Sequence, residues 1–217
     1  MAASNPNLST DQALEQAAAD LYDARMPYHN FTHVQTVLRE SLALIERAES
    51  VGLQPNKRVI RAAILLHDAH YHEPHRTAGY ASKELYSAAL ARGLLPAHGY
   101  KRAEVDAVSD AIASTQCGVK CQSLEAKIVK GADLAGLAYE YPVFLQNACA
   151  LWQEEEWLLG QLVPWISWRD RAVNYVAAFL QEDLGFSPAC YASHDQTWLQ
   201  KNAHANLDKL QAQEPPL

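Results

Sequence analysis

The sequence predicts an all-α protein folded as one domain of about eight or nine helices, and three observations carry that expectation. Apolar residues recur at the three-to-four-residue spacing of a helix face, no stretch shows the β-branched alternation of a strand, and the nine Gly and ten Pro sit mostly between the periodic segments. A chain of 217 residues that is 49% apolar and 20% charged also has the composition of an ordinary globular domain with one core.

The elements follow from their end signals. Residues 1–8 read as an N-terminal extension, and Ser9 with Gln12 reads as a capping box opening a first helix over 9–25. Asn30 can cap a second helix over 31–52, with Val34, Val37, Leu38, Leu42 and Ile45 on one face. Pro55 fits the first turn of a third helix that runs to Asp68. A fourth spans 77–92 before Gly93, a fifth spans 101–115 after the Pro96 turn, and Ser123 starts a sixth that ends near Tyr139. Pro142 and Pro164 open two long helices, to Leu159 and Gln181. Ser193 with Gln196 makes a capping box for a last helix to Gln211, so the helical domain covers 9–212 and a flexible tail 213–217.

Eighteen Lys and Arg against 25 Asp and Glu leave a formal charge of −7, which argues against general nucleic-acid binding or attraction to an anionic membrane. The longest apolar run, 175–180, is far below the roughly 20 residues that span a bilayer, and the opening residues lack a basic and apolar leader pattern. The expected location is the cytoplasm. Cys117 and Cys121 are the only close thiol pair; without a second pair they read as a loop with two thiols rather than a zinc knuckle, and Cys149 and Cys190 as small buried hydrophobes. The run Glu154-Glu155-Glu156 reads as a solvated helix face. Trp152, Trp157, Trp165, Trp168 and Trp198 read as packing the C-terminal helices onto the core.

Histidine carries the chemical signal. Six of the nine His (His29, His33, His67, His70, His72 and His75) fall within fewer than fifty residues. His67 lies on the apolar stripe of Ile60, Ala63 and Ile64, so a helix turns its imidazole inward. Asp68 shares the stripe of Ile64 and Leu65, and a buried carboxylate is costly unless a cation or metal pairs with it. Asp133 repeats the anomaly beside Val129, Gly136 and Leu137, although Lys130 one turn away allows a surface ion pair instead. The second His-Asp dipeptide, His194-Asp195, lies among Ser, Gln and Thr, where capping explains it. Together His33, His67, Asp68 and Asp133 offer two neutral imidazoles and two carboxylates, whose charge balances one divalent ion. With no thiolate the set suits Mn, Mg, Co, Ni or Fe, or catalytic Zn, with positions open to water that the ion can acidify.

The order of these residues resembles the HD superfamily of metal-dependent phosphohydrolases, an all-helical fold named for its H…HD…D pattern. Tyr28-His29-Asn30-Phe31-Thr32-His33-Val34 looks like its first ligand segment, Ala62 through Asp68 like its HD helix, and Lys127 through Leu134 like its final Asp. A narrower branch of predicted HD phosphohydrolases is similar in Y-H-N-x-x-H, in Glu84, Ser87 and Ala88, in Asp133-Leu134 and in Ala203, Asn206 and Leu207. Two departures stand out: the adjacent His pair of two-metal members is missing, with 112–117 in its place, and Gly131 stands where an acidic residue often falls.

The resemblance implies an HD-type helical bundle in which His33, His67, Asp68 and Asp133 hold one divalent metal. It also implies a hydrolase that attacks a small phosphate ester, with nucleotides among the candidates, through a metal-activated water. Asp68 would orient that water and His29 would protonate the leaving oxygen, while His72, His75, Arg76, Lys130 and Glu84 are candidates for holding the substrate. The alternative is a metal- and ligand-binding or sensory module without turnover. An oxygenase reading wants two irons and is disfavoured by the missing His pair. The expected partner is a small phosphorylated molecule, and the chain is expected as a monomer or homodimer.

Overall fold

The computed structural model describes residues 10–187, 190–193 and 196–215, and its regular structure is helical apart from one isolated bridge between Tyr191 and Thr197. The helices are α1 (Thr10–Ala19), α2 (Phe31–Ser50), α3 (Lys57–Leu66), α4 (Lys83–Leu94), α5 (Arg102–Ala113), α6 (Leu124–Asp133), α7 (Tyr141–Leu159), α8 (Trp165–Phe179) and α9 (Trp198–Gln211). Short 3-10 turns follow α4 (Leu95–His98) and α6 (Leu134–Ala138). The expected all-α single domain is thus what the described residues form. No helix among them is long and apolar enough to cross a membrane.

α3 is the axis of the larger core. Val59, Ile60 and all of Ala62 through Leu66 are buried, and a helix apolar nearly all round must be enclosed by others. α1, α2, α4, α5 and α6 surround it, and Arg61, half-buried on its surface, pairs with Glu15 on α1. A second core joins α7, α8 and α9 through Phe144, Ala148, Trp165, Trp168, Leu207 and Leu210. Trp152 meets Trp165 edge to face and Trp165 stacks on Trp168 there, with centroids 5.3 and 5.4 Å apart, whereas Trp157 and Trp198 are exposed and do not serve the packing role expected of them. Asn206 fastens the second core to the first: its amide donates to the carbonyls of Leu137 (2.9 Å) and Tyr139 (2.8 Å), tying α9 to the turn that follows α6.

Several element ends differ from expectation for local reasons. The first helix stops at Ala19, not 25, because the chain turns to bury Met26 and to place the Tyr22 hydroxyl where it donates to Leu65 O at 3.0 Å. The fourth begins at Lys83 rather than near 77, since Gly79 takes a left-handed φ of 88° and Ser82 caps the new helix by accepting from Leu85 N. The sixth tightens into 3-10 geometry after Asp133. The last helix is capped by Thr197 with Gln200, not by Ser193 with Gln196. The proposed cap Ser9, the extension 1–8, His194-Asp195 and residues 216–217 lie outside the described residues.

Candidate metal centre

Four side chains converge from three helix ends. Asn30 fixes the start of α2: its Oδ1 accepts from Thr32 N (2.9 Å) and His33 N (3.4 Å) while its amide donates to Met26 O, which places His33 in the first turn facing inward. His67 and Asp68 follow the last residue of α3, and Asp133 is the last residue of α6. Ser87 holds the turn after Asp68 against α4 by donating to Ala69 O at 3.1 Å.

One ligand atom from each of His33, His67, Asp68 and Asp133 lies within 4.8 Å of the others. His33 Nε2 is 3.2 Å from Asp133 Oδ1 and 3.6 Å from Asp68 Oδ2, and His67 Nε2 is 2.9 Å from Asp68 Oδ2 and 3.4 Å from Asp133 Oδ1. His67 is 1% exposed, and its Nδ1–H donates to Ile64 O at 2.8 Å, which directs Nε2 toward the cluster, where it can carry a proton or, without one, bind a metal. That buried Nε2 makes no hydrogen bond with good geometry. The donor set therefore fits a divalent cation: two imidazoles and two carboxylates, one nitrogen orphaned, with the remaining contacts acidic. The electrostatics agree. Burial opposes charge on His67, yet Asp68 and Asp133 outweigh it and hold its pKa well above the ordinary value. Burial likewise opposes charge on Asp133, and His67 and His33 overcome it, holding this carboxyl well below the usual range.

Beside the cluster stands a pair that the sequence reading did not find. Glu154, read as part of a solvated run, is 2% exposed. Its Oε2 accepts from the amides of Tyr28 (2.9 Å) and His29 (2.7 Å), and its Oε1 from His29 Nδ1. His29 Nε2 is then left 3.9 Å from Asp68 Oδ2, and the Tyr71 ring stacks on the imidazole at 3.7 Å. Burial works to lower the His29 pKa, but Asp68 and Glu154 outweigh it and raise it. Glu154 shares the α7 face of Phe144, Ala148 and Leu151, so its inward direction was present in the helix period and masked by Glu155 and Glu156.

A cavity of about 680 Å³ opens onto this arrangement between the two cores. His29, Asp68 and Asp133 meet its wall, Leu137, Phe144, Trp168, Phe179 and Leu207 make much of the rest apolar, and its basic side chains are Lys83 and Arg171. Lys83 donates to Tyr71 O at 2.6 Å, and burial brings its pKa down to about 8. A smaller cleft of about 380 Å³ reaches His33 and Asp133 beside Arg39.

Of the residues expected to hold substrate, Glu84 lines the large cavity. His72, His75 and Arg76 do not; they lie on the turn 67–82, with Arg76 exposed. Lys130 is corrected outright. It is fully buried, donates to Gln116 O (3.0 Å) and Val119 O (3.2 Å) and pairs with Glu182, so it neither reaches the cavity nor pairs with Asp133. Gly131 has a packing reason: a Cβ there would sit 3.3 Å from Leu44 Cδ1, where α6 crosses α2. Cys117 and Cys121 lie in the loop between α5 and α6, and burial raises the pKa of both thiols.

The fold is similar to the phosphodiesterase domain of a rhodopsin phosphodiesterase from Salpingoeca rosetta, with a TM-score of 0.64 and 14% identity over 94% of this chain and 80% of that one. A structure of the phosphodiesterase domain of the RhoPDE fusion protein from the same choanoflagellate gives a TM-score of 0.66 and 12% identity, over 94% of this chain and 84% of that one. At these identities the likeness is one of fold. No protein-family model matches the chain, and no curated protein matches it in sequence.

Proposed function

We propose that the protein is a metal-dependent phosphohydrolase of the HD type, acting on a small phosphate ester. The observation that carries the reading is the convergence of His33, His67, Asp68 and Asp133, with the orphaned His67 Nε2, behind Asp68 and Asp133 in the wall of a cavity large enough for a small molecule. The fold shared with phosphodiesterase domains supports it. A divalent ion held by these four side chains would supply charge for a phosphoryl oxygen and would acidify a water. The chain's own groups do the rest. Asp68, between His67 and His29, orients the water. His29, gripped through Nδ1 by Glu154, keeps Nε2 beside Asp68 as the proton donor for the leaving oxygen. Lys83 and Arg171 offer positive charge to the phosphate, and the apolar wall excludes water from its organic part.

The test supplies Mn, Mg, Co, Ni, Fe and Zn in turn with a panel of nucleoside mono- to triphosphates, cyclic nucleotides and simple phosphate esters. Phosphate-ester cleavage that Asp68→Ala abolishes is the expected result. Ligand-induced stabilisation without turnover for any member of the panel would instead establish a binding module. Magnesium at one hundred times its Kd should raise stability by about 2.7 kcal/mol, a shift of roughly 5–10 °C in Tm for a chain of this size, and His67→Ala should lose that shift.

A further inference from the structure

We infer that the turn following the HD dipeptide carries a second, separate site for a divalent transition metal, formed by His70, His72 and Glu73. One ligand atom from each lies within 4.8 Å of the others, and none of the three lines the large cavity. Glu73 Oε1 is 3.8 Å from His70 Nδ1 and 3.6 Å from His72 Nε2, longer than hydrogen bonds and about the separation of two ligands that share an ion. His70 Nδ1, the atom that faces Glu73, is shielded from solvent and has no hydrogen-bond partner, an arrangement proteins avoid unless something else satisfies the nitrogen. The backbone adds an independent sign. His70 has φ of 55°, the one left-handed non-glycine among the described residues, and its amide is anchored to Leu21 O at 3.0 Å. Such strain persists where the surroundings demand a particular side-chain direction. Here it turns His70 toward His72, with ring centroids 5.8 Å apart.

The chemistry selects the ion. Two imidazole nitrogens and one carboxylate make a three-ligand set, suited to Zn, Co, Ni or Cu with open positions and poorly suited to Mg or Ca, which prefer all-oxygen shells. The site also has a route to the rest of the molecule. Tyr71, between the two histidines, stacks on His29, so an ion that locks His70 to His72 and Glu73 fixes the residue covering that imidazole.

Cobalt uptake by the full-length protein tests this, read as equivalents bound and as visible absorption of the protein-bound ion. In a His67→Ala background, which disables the quartet, about one equivalent of cobalt should still bind; His72→Gln or His70→Asn added to it should remove that equivalent. Asn is chosen at position 70 because it tolerates left-handed backbone. If His67→Ala folds poorly, Asp133→Asn serves as the background. Absence of cobalt uptake in a folded quartet variant would overturn the inference, as would uptake unchanged by both second substitutions. The quartet is assayed separately, by the uptake that His72→Gln alone retains, so failure of one site is distinguishable from failure of the other.

Discussion

Substitution of Glu154 probes the link between the two cores and the metal centre. Glu154→Ala removes the acceptor of three donors at once: the amides of Tyr28 and His29 and the His29 Nδ1–H. A hydrogen bond to a charged group contributes about 1.5–3 kcal/mol, and Tyr28 and His29 stand beside a cavity from which water can satisfy some of what is lost. The net cost should be about 4 kcal/mol, or a fall of roughly 10 °C in Tm for a chain of this length. Glu154→Gln keeps a carbonyl oxygen for the backbone amides while losing the charge, and should cost about half as much. Urea unfolding with all metals chelated measures both. Turnover should fall by about two orders of magnitude in Glu154→Gln at saturating metal, the scale of a lost general acid. A double-mutant cycle with His29→Ala should show strong coupling in both readouts, because the two side chains act as a unit. Stability within about 0.5 kcal/mol of wild type, with no coupling to His29, would show that Glu154 is the solvated residue its neighbours suggest.

Other consequences follow from single groups. Lys83, brought down to about 8 by burial, should lose its charge as pH rises through that value, so KM for an anionic substrate should climb above pH 8, and Lys83→Met should raise KM and flatten the profile. Its folded pKa lies below the 10.5 of the free side chain, so the unfolded chain binds more protons between about 8 and 10.5, and chemical denaturation should show this group's contribution to stability growing with pH across that window. Lys130→Met strands Glu182 beside the apolar interior and should destabilise the protein by about 3 kcal/mol in urea melts, with KM unchanged; an altered KM without destabilisation would return Lys130 to the substrate site.

What could be read from the sequence, and what could not, divides along local and distant determinants. The inward direction of His67 and Asp68 was legible because a helix as apolar as 59–66 leaves no solvent face for the residues that end it. The cap at Asn30 and the start of α6 at Ser123 were likewise local. Lys130 shows the limit. Its helix position predicted neighbours one turn away, yet its partner, Glu182, is 52 residues distant and the carbonyls it satisfies belong to the loop before α6. Glu154 was hidden by company rather than distance: two adjacent acids made a charged run, while only the tertiary approach of Tyr28 and His29 gives the first of them three donors. The turn 67–82 read as partly helical because Thr77 and Ala78 permit a helix, and what prevents it, the backbone at Gly79 and the cap at Ser82, acts through geometry that composition only hints at.

The central claim is that His33, His67, Asp68 and Asp133 hold one divalent ion. Anomalous scattering from crystals grown with manganese or cobalt tests it most directly. The account predicts a peak about 2.0–2.2 Å from the Nε2 atoms of His33 and His67 and from one oxygen each of Asp68 and Asp133, lost in His67→Ala. An ordered wild-type quartet with no peak among the four side chains at saturating metal would contradict it.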